Sequence, residues 1–207
     1  MEANDKKSLV ISYLTLRIIV GVLGVTLPII LVLGSLIFGE VEVIQKSISM
    51  YYYTHMRNAL VGILCAVALF LFVYKGYDYK DDIAGYFAGF FALLVAFCPA
   101  AGSHTRIIHL VSAVLFFLTL AYFSLFLFTQ GSDNPTKQKI LRNKIYRICG
   151  FIILGCVVLL IIYFILPTSF TDKLSDYKPL FWLEALALWS FGFSWLLKGK
   201  FLLKDNG

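Results

Sequence analysis

Six apolar stretches, each near the length needed to cross a bilayer, constrain this chain more than any other feature. A spanning helix needs about 20 predominantly apolar residues. The stretches run Arg17–Phe38, Asn58–Tyr74, Ile83–Cys98, Ile107–Thr129, Ile148–Leu166 and Leu180–Leu197. Charged or turn-forming segments separate them: Gly39–Arg57, Lys75–Asp82, Pro99–Arg106, Gly131–Arg147 and Pro167–Pro179. Only 14% of the 207 residues are charged, against about 25% in ordinary soluble domains. The expectation is an all-α polytopic membrane protein, a single domain over residues 1–207 with six transmembrane helices in one bundle. Lys6 and Lys7 precede the first apolar run, which is too long for a cleaved signal peptide and lacks a small-residue cleavage site, so it reads as a retained span. Ser8–Leu16 reads as an amphipathic segment at the interface.

Charge sets the expected topology. The N-terminus, the second and fourth loops and the tail hold thirteen of the 18 lysines and arginines. The other side holds five: Lys46, Arg57, Arg106, Lys173 and Lys178. The positive-inside rule places the richer side, and both termini with it, in the cytoplasm. The net charge of +6 is then explained by topology and by anionic headgroups, and no nucleic-acid partner is called for. The densest basic run, Lys137–Arg147, reads as a cytoplasmic loop, with an anionic-lipid site as the alternative.

The third stretch carries Ala84, Ala88, Ala92 and Ala96, with Gly85 and Gly89 beside them. Small residues at this spacing let helix backbones approach closely. They predict a central, well-packed helix, with a homo-oligomer through that helix as the alternative. Pro28 is a candidate kink in the first span. Trp182 and Trp195, near opposite ends of the sixth, suit the two aromatic belts. Cys65, Cys98, Cys149 and Cys156 form no CxxC or CxxH pattern, so they read as small apolar residues. No cofactor is implied.

The polar residues that stand out fall at the less basic, outer side. Tyr51, Tyr52 and Tyr53 run into Thr54, His55 and Arg57. The third loop adds His104, Arg106 and His109. Five residues apart on a helix, His104 and His109 would point roughly 140° apart, so they do not form a stacked metal pair. Glu184 is the only carboxylate inside an apolar stretch, and a carboxylate in hydrocarbon must be paired, protonated or exposed to a cavity. Its expected partners are Arg57, Arg106 or His109. The candidate ligand-binding set is Tyr52, Tyr53, His55, Arg57, His104, Arg106, His109 and Glu184. A structural lock between the second, fourth and sixth spans is the alternative. Asp81 and Asp82 lie on the opposite side, about 30 Å of hydrocarbon away. They are expected to cap the third helix or to pair with Lys75 and Lys80.

Ser47–Thr54 with Arg57, Tyr74–Asp78, Arg142–Arg147, Trp182–Ala185 and Ser194–Gly199 together resemble a group of small bacterial six-helix membrane proteins of unknown function. The resemblance covers nearly the whole chain. It implies the architecture and an inner-membrane location, and no activity. A looser similarity is to the CREST group of membrane hydrolases and receptors, which implies a zinc site of Ser, Asp and three His. This chain departs from it in having six spans, no HxxxH pair and its paired Asp on the other side.

Three functions fit these residues. The first is binding of a small molecule or lipid headgroup in an outer-facing polar pocket, with membrane lipids as partners. The second is a zinc-dependent intramembrane lipid hydrolase. The third is a proton-coupled transporter with Glu184 as carrier. No P-loop, GxGxxG or GxSxG motif is present, so no soluble catalytic template applies.

Overall fold

The computed structural model describes residues 2–76, 78–131 and 136–199, and for residues 2–12 and 103 the backbone alone. Tyr77, Lys200, Lys204 and the side chains of Lys6 and Lys7 lie outside the described residues. Among the described residues the chain is helical and has no strand. The long helices are α1 (Glu2–Ile37), α2 (Arg57–Phe72), α3 (Tyr79–Phe97), α4 (Ser103–Tyr122), α5 (Lys137–Ile165) and α7 (Pro179–Lys198). The short α6 (Thr168–Leu174) lies between α5 and α7. A 3-10 turn, Ile48–Tyr53, sits in the first connection, and α4 widens into a π-helical turn over Phe123–Leu127.

Four helical segments are long and apolar enough to cross a membrane: Tyr13–Ile37, His104–Leu127, Lys137–Ile165 and Pro179–Lys198. The other two long helices fall short for different reasons. Helix α2 has 16 residues, about 24 Å at 1.5 Å per residue. Helix α3 has 19 residues but carries Lys80, Asp81 and Asp82 in its first turns.

Each long helix packs against its neighbours in the chain, and α7 closes the ring on α1. Gly21 and Gly192 make that closure possible. A Cβ on Gly192 would stand 2.6 Å from the Gly21 carbonyl, and one on Gly21 would stand 2.8 Å from the Gly192 carbonyl. The first, third and fifth connections meet at one end, here the odd end. Phe181 N donates to Lys46 O at 3.2 Å, and Tyr53 Oη accepts from Ala101 N at 2.9 Å. Lys178 Nζ pairs with Glu42 there at 2.7 Å. The second and fourth connections lie at the other, even end, where Tyr74 and Phe128 both pack on Trp195.

The small-residue stripe of α3 is buried, with Ala88, Ala92 and Ala96 at 0% exposure. Gly85 and Gly89 face the carbonyls of Leu71 and Ala68 on α2. Gly85 and Gly89 thus serve the close approach of α3 to α2. The most enclosed of these four membrane-length segments is α7.

Several expectations need correction. The backbone of Ser8–Leu16 continues unbroken into α1, and Pro28 lies within that same helix. Most of the expected fourth loop is helix. Thr136 caps α5, its hydroxyl accepting from Lys139 N at 3.1 Å, and Arg142 is 6% exposed. Good helix formers begin the segment, and Arg142 and Tyr146, four apart, turn inward. Trp182 is 48% exposed as a belt residue should be, but Trp195 is fully buried. It stands one turn from Phe191 on the inward face of α7, and the two rings pack 5.8 Å apart.

Candidate functional site

The 3-10 turn Ile48–Tyr53 organises the odd end. With about three residues per turn, consecutive side chains point in three directions, which separates the three tyrosines. Tyr51 is buried and its hydroxyl donates to Val43 O at 2.7 Å. Burial pushes its phenol above the ordinary value of 10.0. Tyr52 lines a cavity inside the bundle. Tyr53, 48% exposed, ties the first connection to the third.

The N-terminus of the turn settles Glu184. Its Oε2 accepts from Ile48 N at 2.6 Å, and the Ser49 amide also serves the carboxylate. The first amides of a helical turn have no partner within the turn and carry partial positive charge. They meet the carboxylate in place of the expected Arg57, Arg106 or His109. Arg57 instead donates to Tyr52 Oη at 2.6 Å and lies 4.2 Å over the Tyr52 ring.

His109 is 3% exposed, and both of its ring nitrogens are engaged. Nδ1 lies 2.7 Å from Cys98 O, and Nε2 lies 2.8 Å from Ser49 Oγ. A carbonyl can only accept, so Nδ1 carries the proton. In the neutral ring Nε2 is then a bare lone pair, and the Ser49 hydroxyl donates to it. His104 sits on the exposed side of the same helix. His55 is at the surface, where it stacks on Phe38 and its Nδ1 pairs with Glu40 at 2.8 Å. The three histidines are therefore not brought to one point. Among the described residues no three His, Cys, Asp or Glu side chains gather as metal ligands.

The Glu40 contact titrates. The His55 amide, then its ring, hold the Glu40 carboxyl below its ordinary 4.5. A depressed pKa gives stabilisation that is complete above the unfolded value and lost as pH falls through the folded one. Protection of the His55 amide from hydrogen exchange is thus expected to hold through neutral pH and to fall only in acid. Loss of protection between mildly acidic and neutral pH would contradict this pairing.

Two spaces share Ser49, His109 and Glu184 in their linings. The inner one, about 40 Å³, reaches toward Tyr52, Leu60 and Phe116. It has room for a few waters, since one needs about 10–15 Å³. The outer one is a cleft of about 1070 Å³ between α4 and α5. Its walls are apolar, including Leu110 and Val114 from α4 and Leu160 and Phe164 from α5. Lys46 and Arg106 stand at its polar end. Of the eight sequence candidates, the structure brings Tyr52, Arg106, His109 and Glu184 to these spaces. Tyr53, His55, Arg57 and His104 line neither. Sequence reasoning missed Ser49, Lys46 and the Ile48 amide. Ser49 was visible as a polar residue in the first connection, but nothing local shows which way a loop side chain turns.

A second polar centre at the even end was also missed. Asp81 is 0% exposed and Lys198 is 7% exposed. Lys198 lies 5.2 Å from the Phe128 ring and 3.5 Å from the Phe128 carbonyl. Lys139 donates to the same carbonyl at 3.1 Å. The charges of Lys139, Arg17, Asp81 and Arg142 all act on Lys198. Asp81 also helps cap α3, accepting from Asp78 N at 3.1 Å, while Asp82 pairs with Lys75 at 2.5 Å.

No family model, curated protein or solved structure matches the chain, so its reading rests on this geometry.

Proposed function

We propose that the protein binds a membrane lipid with an anionic headgroup, its acyl chain in the α4–α5 cleft and its headgroup at Lys46 and Arg106. All six long helices cross a bacterial inner membrane in this reading, both termini are cytoplasmic, and the odd end faces outward. The charge asymmetry supports that orientation. The observation that carries the function is the cleft itself, which is apolar along its depth and cationic at one end. That is the polarity of a lipid turned through its length. Its volume of about 1070 Å³ lies just above the about 300–1,000 Å³ usual for ligand sites.

The test is titration of the detergent-purified protein with phosphatidylglycerol, read by native mass spectrometry. Ala113 borders both spaces. Ala113→Trp is expected to fill the space beside it and lower the bound fraction sharply. Arg106→Ala and Lys46→Ala are each expected to weaken binding about tenfold, from roughly 1.5 kcal/mol per hydrogen bond to a charged group. Equal binding by wild type and a folded Ala113→Trp protein would sink the reading.

A further inference from the structure

We infer that Ser49 and His109 form a nucleophile–base pair that cleaves an acyl ester of the lipid held in the cleft. This rests on the lipid-binding reading above and extends it to a reaction. Three observations carry it. The Ser49 hydroxyl and His109 Nε2 are 2.8 Å apart, within the reach expected of a nucleophile and its base. The Cys98 carbonyl, 2.7 Å from Nδ1, orients the ring and selects the tautomer that leaves Nε2 free to take a proton. Both side chains border the α4–α5 cleft as well as the inner cavity.

Depth selects the bond. An ester carbonyl of a glycerolipid lies between the phosphate and the acyl chain. Lys46 and Arg106 lie at one end of the cleft and its apolar walls at the other. A lipid spanning the two brings its ester between them, beside Ser49 and His109. Glu184 acts as a positioning residue. It holds the Ile48 and Ser49 amides, which keeps the Ser49 backbone where its hydroxyl meets the imidazole.

In the reaction, Ser49 Oγ forms a bond to the ester carbonyl carbon while its proton passes to His109 Nε2. The C–O bond to the glycerol oxygen then breaks, and Nε2 returns the proton to that oxygen, releasing a lysolipid. Water next gives a proton to Nε2 and attacks the acyl-serine ester. Fatty acid leaves and Ser49 regains its proton. The sum is ester plus water giving alcohol plus acid.

The test uses the full-length protein in nanodiscs containing phosphatidylglycerol with a fluorescent acyl chain. A fluorophosphonate probe reports the nucleophile, and release of labelled fatty acid reports turnover. Wild type is expected to be labelled at Ser49 and to turn over. Ser49→Ala, which removes one oxygen, is expected to abolish both while still binding phosphatidylglycerol. His109→Gln is expected to slow turnover by about 100-fold or more, the usual scale for loss of a general base. If wild type binds the lipid but takes no label and releases no fatty acid, the inference is overturned and the binding reading stands. If wild type binds no lipid, both fall. Turnover that survives in Ser49→Ala would also overturn the inference.

Discussion

Asp81→Asn is expected to destabilise the protein by about 3–5 kcal/mol, the usual cost of removing one partner from a buried charge cluster. Asp81 is fully buried, and its carboxylate is the one negative charge that acts on Lys198 beside the positive charges of Arg17, Lys139 and Arg142. Without its carboxylate these cations lose their internal counter-charge in a place where water screens them poorly. The adjacent Asp82 provides the contrast. Its pair with Lys75 is 27% exposed on the carboxylate side, and exposed pairs contribute about 0–1 kcal/mol. Asp82→Asn should therefore be nearly silent. Lys198→Met placed in the Asp81→Asn background is expected to restore part of the loss, because it removes one stranded charge. Equilibrium unfolding in detergent mixtures, followed by circular dichroism, measures all three. An Asp81→Asn protein within about 0.5 kcal/mol of wild type, the scatter of ordinary surface changes, would refute the buried-cluster account.

The α1–α7 contact predicts the second large effect. Gly192→Ala improves helix propensity by about 1 kcal/mol. It also drives a methyl group to 2.6 Å from the Gly21 carbonyl and 2.8 Å from Val25 N. Both are backbone atoms, so the helices must separate, and overpacking of this kind costs about 1–3 kcal/mol. Gly192→Leu adds further volume and is expected to open the ring between α1 and α7. Gly155 serves as control. A Cβ there meets nothing within 4 Å, so Gly155→Ala keeps the propensity gain and should be neutral or stabilising. The same unfolding measurement decides between the two. If Gly192→Ala stabilises as much as Gly155→Ala, close packing does not govern this contact.

The candidate site divides along the same line as these predictions. His109 and Glu184 were legible because each is an ionisable side chain inside an apolar run, where the cost of burial demands a partner. His55 and His104 were drawn into the same set by sidedness alone. Sidedness places a residue at an interface and says nothing about direction, and both turn away from the cleft. Glu184 shows the limit most clearly. Opposite charges were the natural partners to expect, but two backbone amides took their place, and a sequence does not display which amides a turn leaves free.

The chain by itself determined that this protein is helical and built from apolar helices, because hydropathy and length act locally and need no knowledge of neighbours. It also determined that the α3 stripe must pack closely and that His104 and His109 must face apart, since helical geometry alone dictates both. Only the tertiary structure decided that the Ile48–Tyr53 turn folds in to meet Glu184. It alone decided that Ser49 reaches His109 from 60 residues away, and that Asp81, Arg142 and Lys198 converge from three helices. Those contacts depend on how the ring of helices closes. That closure includes the backbone approach of Gly21 and Gly192, which lie 171 positions apart in the chain.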